Sequence, residues 1–121
     1  MKSNKLLYFC ALLLAVPAYA IPDQEPDVTR QVAEVLEQAA EGQAPPERFT
    51  ERGATYLAAP GAAGLLRRCP RPLALELLSR QVYGEDRLYV YRAACRPLPL
   101  RIAIDFNKAA RINRLEIAED R

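Results

Sequence analysis

No histidine occurs in the 121 residues. That excludes a Ser-His-Asp or Cys-His nucleophile, a histidine general base and most zinc sites, all of which depend on imidazole. Serine is nearly as scarce. Past residue 20 only Ser79 remains, and its neighbours Leu78 and Arg80 offer no base to activate it. Two cysteines without histidine leave a tetrahedral zinc centre incomplete, so neither a metal nor a cofactor is expected. Internal repeats and low-complexity tracts are absent, and the length suits one modest domain. With 50% hydrophobic and 26% charged residues, the chain is neither disordered nor collagen-like.

What is present begins with an export signal. Lys2 and Lys5 precede an apolar run from Leu6 to Val16, then Pro17 and Ala18-Tyr19-Ala20. A charged start, a short hydrophobic stretch and a small-x-small exit predict a secretory signal peptide over residues 1–20, cleaved after Ala20. The run is short for an uncleaved anchor, which takes about 20 residues. Cys10 raises a lipoprotein alternative, but Leu7-Tyr8-Phe9 are too bulky for a lipobox. After cleavage no transmembrane segment is expected, and the product would be periplasmic or secreted.

Cleavage removes Lys2 and Lys5, leaving 15 bases against 15 acids. A neutral chain argues against nucleic acid as a partner, which calls for an excess of positive charge. The neutrality conceals a split. Ile21 to Glu51 carries eight acids and two bases, and the remainder from Arg52 carries seven acids and 13 bases. The two halves could attract each other or form separate faces. Cys69 and Cys95 remain, and in an oxidising compartment they are expected to form one disulfide.

The domain is expected over residues 27–121, after a loose, proline-bearing lead-in from Ile21 to Pro26. Val28, Val32, Val35, Leu36 and Ala39 recur at three- and four-residue steps, predicting an amphipathic helix capped by Asp27 or Thr29 and stopped at Gly42. Pro46 to Arg68 reads as one or two shorter helices, interrupted at Pro60-Gly61. From Leu73 the period becomes two. Leu73 to Leu77, Arg87 to Arg96, Leu98 to Phe106 and Arg111 to Ala118 read as four strands, with Leu115 and Ile117 inward. Short loops between them predict an antiparallel meander, and helices followed by strands predict an α+β fold.

Pro46-Glu47-Arg48-Phe49, Tyr89-Val90-Tyr91-Arg92, the Pro99-to-Asp105 segment and Arg111-Ile112 with Leu115 and Ile117 give a pattern that resembles cystatin-like and nuclear-transport-factor-2-like α+β domains. More narrowly, Pro46 to Ile117 is similar to the small domain that precedes the catalytic domain of some bacterial serine β-lactamase-like hydrolases. The resemblance implies helices packed on a curved antiparallel sheet. It does not carry hydrolase activity over, because neither a hydrolase domain nor a Ser-x-x-Lys sequence is present. The cystatin binding loop Gln-x-Val-x-Gly is missing too, which argues against a protease inhibitor.

Two constellations compete for function. In the alternating strands Arg92, Arg101 and Arg114 fall on outward positions, with Asp105 and Glu116 interspersed. Arginine pairs planar carboxylate or phosphate groups, so this face could engage an envelope protein or an acidic ligand; the plainer reading is a solvated sheet surface with cross-strand ion pairs. Alternatively Asp105, with Tyr89 and Tyr91, could serve an isomerase-like enzyme or a small-ligand site. Tyr56, Tyr83, Phe49 and Phe106 would help to line its helix–sheet cleft, or these aromatics would simply fill the core. The expectation is an exported, non-catalytic binding or accessory module of the cell envelope.

Overall fold

A computed structural model of the chain describes residues 19–121. The predicted signal peptide, apart from Tyr19 and Ala20, lies outside the described residues.

Helix α1 runs from Pro26 to Ala40 and buries Val32, Val35, Leu36, Ala39 and Ala40 on one stripe. It begins ahead of both expected caps. Pro26 has its backbone angle preset for a first turn and no N–H to satisfy, while the carbonyl of Glu25 accepts from Val28 and Thr29 at 3.0 and 3.2 Å. Thr29 is therefore helical, and its hydroxyl turns to other partners. The stop at Gly42 has a mechanical cause. At φ +73° Gly42 lets its own N–H reach Ala39 O (3.0 Å) and Gln43 N–H reach Gln38 O (2.8 Å), satisfying carbonyls that the helix end leaves open. Arg67 and Arg71 take two more, donating to Ala40 O and Glu37 O.

A 3₁₀ turn at Pro46–Arg48 leads into α2, Glu51–Ala58, which is capped by the Thr50 hydroxyl accepting from Gly53 N at 2.9 Å. Helix α3, Ala62–Arg67, follows Gly61 at φ +92°. Cys69 and Cys95 form the disulfide, joining the exit of α3 to the segment after β2.

Four strands complete the α+β fold: β1 Leu75–Tyr83, β2 Asp86–Ala93, β3 Leu100–Phe106 and β4 Ile112–Glu119. They form one antiparallel meander in the order β1-β2-β3-β4. The first strand starts two residues later than the leucine alternation suggests, because Leu73 N–H donates to the Glu37 carboxylate at 2.6 Å rather than to a strand. Leu77 and Leu78 face opposite sides by ordinary alternation, and the bulge between Leu77 and Ser79 brings Ser79 into line with Val90 on the same side as Leu78.

All three described helices lie on one face, termed inner. There Leu77, Tyr89, Tyr91, Leu100, Ile102, Ile104 and Leu115 meet Val32, Leu36, Phe49 and Leu66 in the main core. Burying each such aliphatic side chain contributes about 1.5–3 kcal/mol, which makes this packing the chief source of stability. The lead-in is tied to the same side of β1, with Ile21 N–H donating to Leu77 O at 2.9 Å.

Candidate functional site

Strand pairing assigns the outer face row by row. Glu76, Arg92, Arg101 and Ala118 lie in line across the four strands, as do Ser79, Val90, Ala103 and Glu116, and then Gln81, Leu88, Asp105 and Arg114. The three arginines and Asp105 therefore share one face, with Glu116 among them. At its centre is a second apolar cluster, Leu78, Leu88, Val90 and Ala103, each under 5% exposed in the whole chain, with Ala118 packed against it. Among the described residues, the apolar side chains of that cluster all come from the strands themselves; no described helix contributes.

The arginines are not a naked cationic surface. Arg101 Nε lies 3.1 Å from Asp120, and Arg92 Nε lies 3.3 Å from Glu76 with its Nη1 3.9 Å from Asp120. Arg114, expected on an outward position, is on this face but only 2% exposed, opposite Asp105 in the register. Burial pushes the Glu116 carboxyl up from the usual carboxylate range, and the positive charge of Arg114 acts in the opposite direction. Local pairing and desolvation make this face a poor trap for a small polyanion. Its apolar centre is buried, and what surrounds it is a set of matched charges.

Tyr89 and Tyr91 point the other way. Their rings stack, with centroids 6.2 Å apart, in the inner core, where Phe106 meets Tyr89 edge-on. The Tyr89 hydroxyl donates to Glu25 at 2.8 Å, and Glu25 also accepts from Arg80, whose guanidinium lies over the Tyr89 ring. The Tyr91 hydroxyl is 3.1 Å from that of Thr29, which donates to Asp23. Burial pushes the Tyr91 phenol up to about 12, the bond to Thr29 pulling it back. The sheet thus stands between these tyrosines and Asp105, which pairs with Leu88 across the strands and so lies on the outer face. A carboxylate–tyrosine constellation is not assembled. Phe49 is core, Tyr56 packs against it from α2, and Tyr83 is 41% exposed at the β1–β2 hairpin, so they line no common cleft. A cavity bounded by Val32, Val35, Phe106 and Ile112 holds about 10 Å³, no more than a water molecule needs.

The outer apolar cluster is what alternation alone missed. Its signal is in the sequence: Leu88-Tyr89-Val90-Tyr91 is a continuous apolar run, the mark of a strand buried on both faces. The partners of the arginines, Glu76 and Asp120, were missed as well, since cross-strand neighbours require the register.

Comparison of the chain with protein-family models, curated proteins and solved structures finds no match. Among the described residues, no helix is long and apolar enough to cross a membrane, and no cluster of three or more His, Cys, Asp or Glu side chains could hold a metal ion.

Proposed function

We propose that the chain is an exported, non-catalytic binding module of the cell envelope, a cystatin-like or nuclear-transport-factor-2-like domain that engages a protein through the outer face of its sheet. The observation that carries this is the pattern of matched charge on the outer face, where Arg92 and Arg101 sit beside Glu76 and Asp120 around the buried, strand-borne cluster of Leu78, Leu88, Val90 and Ala103. Fixed charges of both signs on one face are what selects and orients a protein partner. The disulfide and the 70% exposure of Tyr19, next to the predicted cleavage site, agree with export. Because Arg92 and Arg101 already face carboxylates, a protein surface suits the face better than a small acidic ligand.

The test is site-directed photo-cross-linking in the envelope. A photo-reactive residue at Gln81, exposed and in line with Leu88, should capture one discrete protein, and Arg101→Glu should abolish that product. A probe at Glu34, on the opposite layer, should capture none. No product from Gln81, or the same product from both positions, refutes the reading.

A further inference from the structure

The lead-in ahead of α1 is bonded to the folded domain along its length. Ile21 N–H donates to Leu77 O at 2.9 Å, and the Ile21 side chain packs against the inner core. Asp23 accepts from the backbone N–H of Glu25 at 2.9 Å and from the Thr29 hydroxyl, which is also 3.1 Å from the Tyr91 hydroxyl. Glu25 accepts from Tyr89 and from Arg80. Ordering a terminal segment costs conformational entropy, so it stays in place only where such bonds return that cost. Residues 21 to 25 form a strap running along β1 from Leu77 to Arg80.

The change from exposed to anchored chain falls between Ala20 and Ile21. Tyr19 is 70% exposed and Ala20 is exposed, whereas Ile21 is half-buried. That is the bond at which the leader is expected to be cut. In the uncut chain the nitrogen held by Leu77 O is a peptide N–H. Cleavage adds water across the bond: the Ala20 carbonyl leaves as a carboxylate, and the Ile21 nitrogen becomes an amine that is mostly protonated at pH 7. The same atom, without moving, is then an ammonium at hydrogen-bond distance from a carbonyl oxygen, and a charged donor holds an acceptor more tightly than a neutral one. The strap itself supplies Asp23 and Glu25 and no base, and Arg80 beside it is matched by Glu25. Because β1 is an edge strand, the cation also occupies a carbonyl to which a foreign strand would otherwise pair.

We propose that the amino terminus created by export is a working part of the fold: the Ile21 ammonium docks on Leu77 O and locks the strap Ile21–Glu25 along the β1 edge. Cleavage at this bond alone produces it, since one extra residue carries the charge back out to the exposed position of Ala20. This rests on the predicted cleavage after Ala20 and is independent of what the outer face binds.

The experiment reads the reactivity of the α-amine towards an acylating reagent at pH 7, in the processed protein purified from the envelope. Only the neutral amine attacks such a reagent. An ammonium held by Leu77 O should therefore react about tenfold more slowly than a free terminus, the effect of one pKa unit. The comparison chain carries one glycine inserted between Ala20 and Ile21, which keeps the Ile21 N–H bond and moves the amine outside it. It should react about tenfold faster than the wild type, and in denaturant, where the strap is released, the two should react alike. Equal rates in the folded state, or a difference that persists in denaturant, overturns the proposal. The intact mass of the untreated wild type separates the two levels. A chain that starts at Ile21 with a freely reactive amine refutes the docked terminus alone, and a chain that starts elsewhere refutes the cleavage on which it rests.

Discussion

Replacing Gly53 by alanine should destabilise the protein, although the position lies inside a helix where alanine ordinarily gains about 1 kcal/mol over glycine. A methyl group at Gly53 would lie 1.9 Å from the carbonyl oxygen of Ile112 and 2.9 Å from its carbon. Carbon–oxygen contacts normally stop near 3.3 Å, so α2 must retreat from β4 by more than about 1 Å. That contact is also where α2 is fastened. Thr50 N–H donates to the same Ile112 carbonyl at 3.0 Å, and the Thr50 hydroxyl donates to Asn113 Oδ1 at 2.8 Å. Losing two such bonds costs about 1 kcal/mol each, and forcing atoms into a packed site about 1–3 kcal/mol. Set against the gain in helix propensity, the net loss is about 2–4 kcal/mol, or roughly 10–20 °C in Tm for a domain of this size. Thermal unfolding followed by circular dichroism, with denaturant titration for the free energy, measures it. Gly64, in α3, is the control: the nearest atom to an added methyl is Arg67 Nη2 at 3.9 Å, so Gly64→Ala should stabilise by up to about 1 kcal/mol. Equal or higher stability of Gly53→Ala, or the same sign for both variants, would refute the placement of α2 on β4.

Two further outcomes test other parts of the fold. Cys95→Ala should lower stability by about 3 kcal/mol, the chain-entropy value for bridging cysteines 26 residues apart, and reductant should lower the wild-type Tm while leaving the variant unmoved. If reductant shifts both alike, the bridge is not what stabilises. Tyr91 gives a pH signature. Its folded value is raised to about 12, so the native state keeps a proton that the unfolded chain releases from about pH 10 upward. Stability must therefore fall as pH climbs from 10 towards 12. Denaturant midpoints across that range should fall less steeply in Tyr91→Phe, and parallel slopes would mean that Tyr91 is not buried.

Much of the architecture was legible because each local signal had a single strong cause. The stripe from Val32 to Ala39 can be buried only on a helix, Gly42 can adopt a backbone angle that ends it, and Leu100 to Phe106 alternates without interruption. The start of α1 was misjudged because Asp27 and Thr29 are good caps in isolation, whereas the preset geometry of Pro26 brings the helix in ahead of them. Thr29 is then free to reach Tyr91, 62 residues away, a relation no local pattern encodes. The candidate site was half legible. Alternation put Arg92, Arg101, Arg114 and Asp105 on one face. It could not show that Glu76 and Asp120 neutralise two of the arginines, that Arg114 is buried, or that the centre between them is apolar. Those depend on which residue each strand sets against its neighbour, and one residue of slip would reverse every face.

The two faces of the sheet divide the chemistry in a way that bears on what the molecule is for. On the inner face the polar atoms of Tyr89 and Tyr91 are bonded to Glu25 and Thr29, from the lead-in and the first turn of α1. That side is closed by groups that a ligand would have to displace. On the outer face Leu78, Leu88, Val90 and Ala103 are each under 5% exposed, so their apolar area is already withdrawn from water and the groups left to meet a partner are the charges around them. Arg92 and Arg101 are held against Glu76 and Asp120, a pattern of matched charge that selects and orients a partner more than it adds affinity. On the proposed reading, Arg101→Glu should therefore remove the cross-linked product while leaving the inner core, and with it the melting temperature, nearly unchanged.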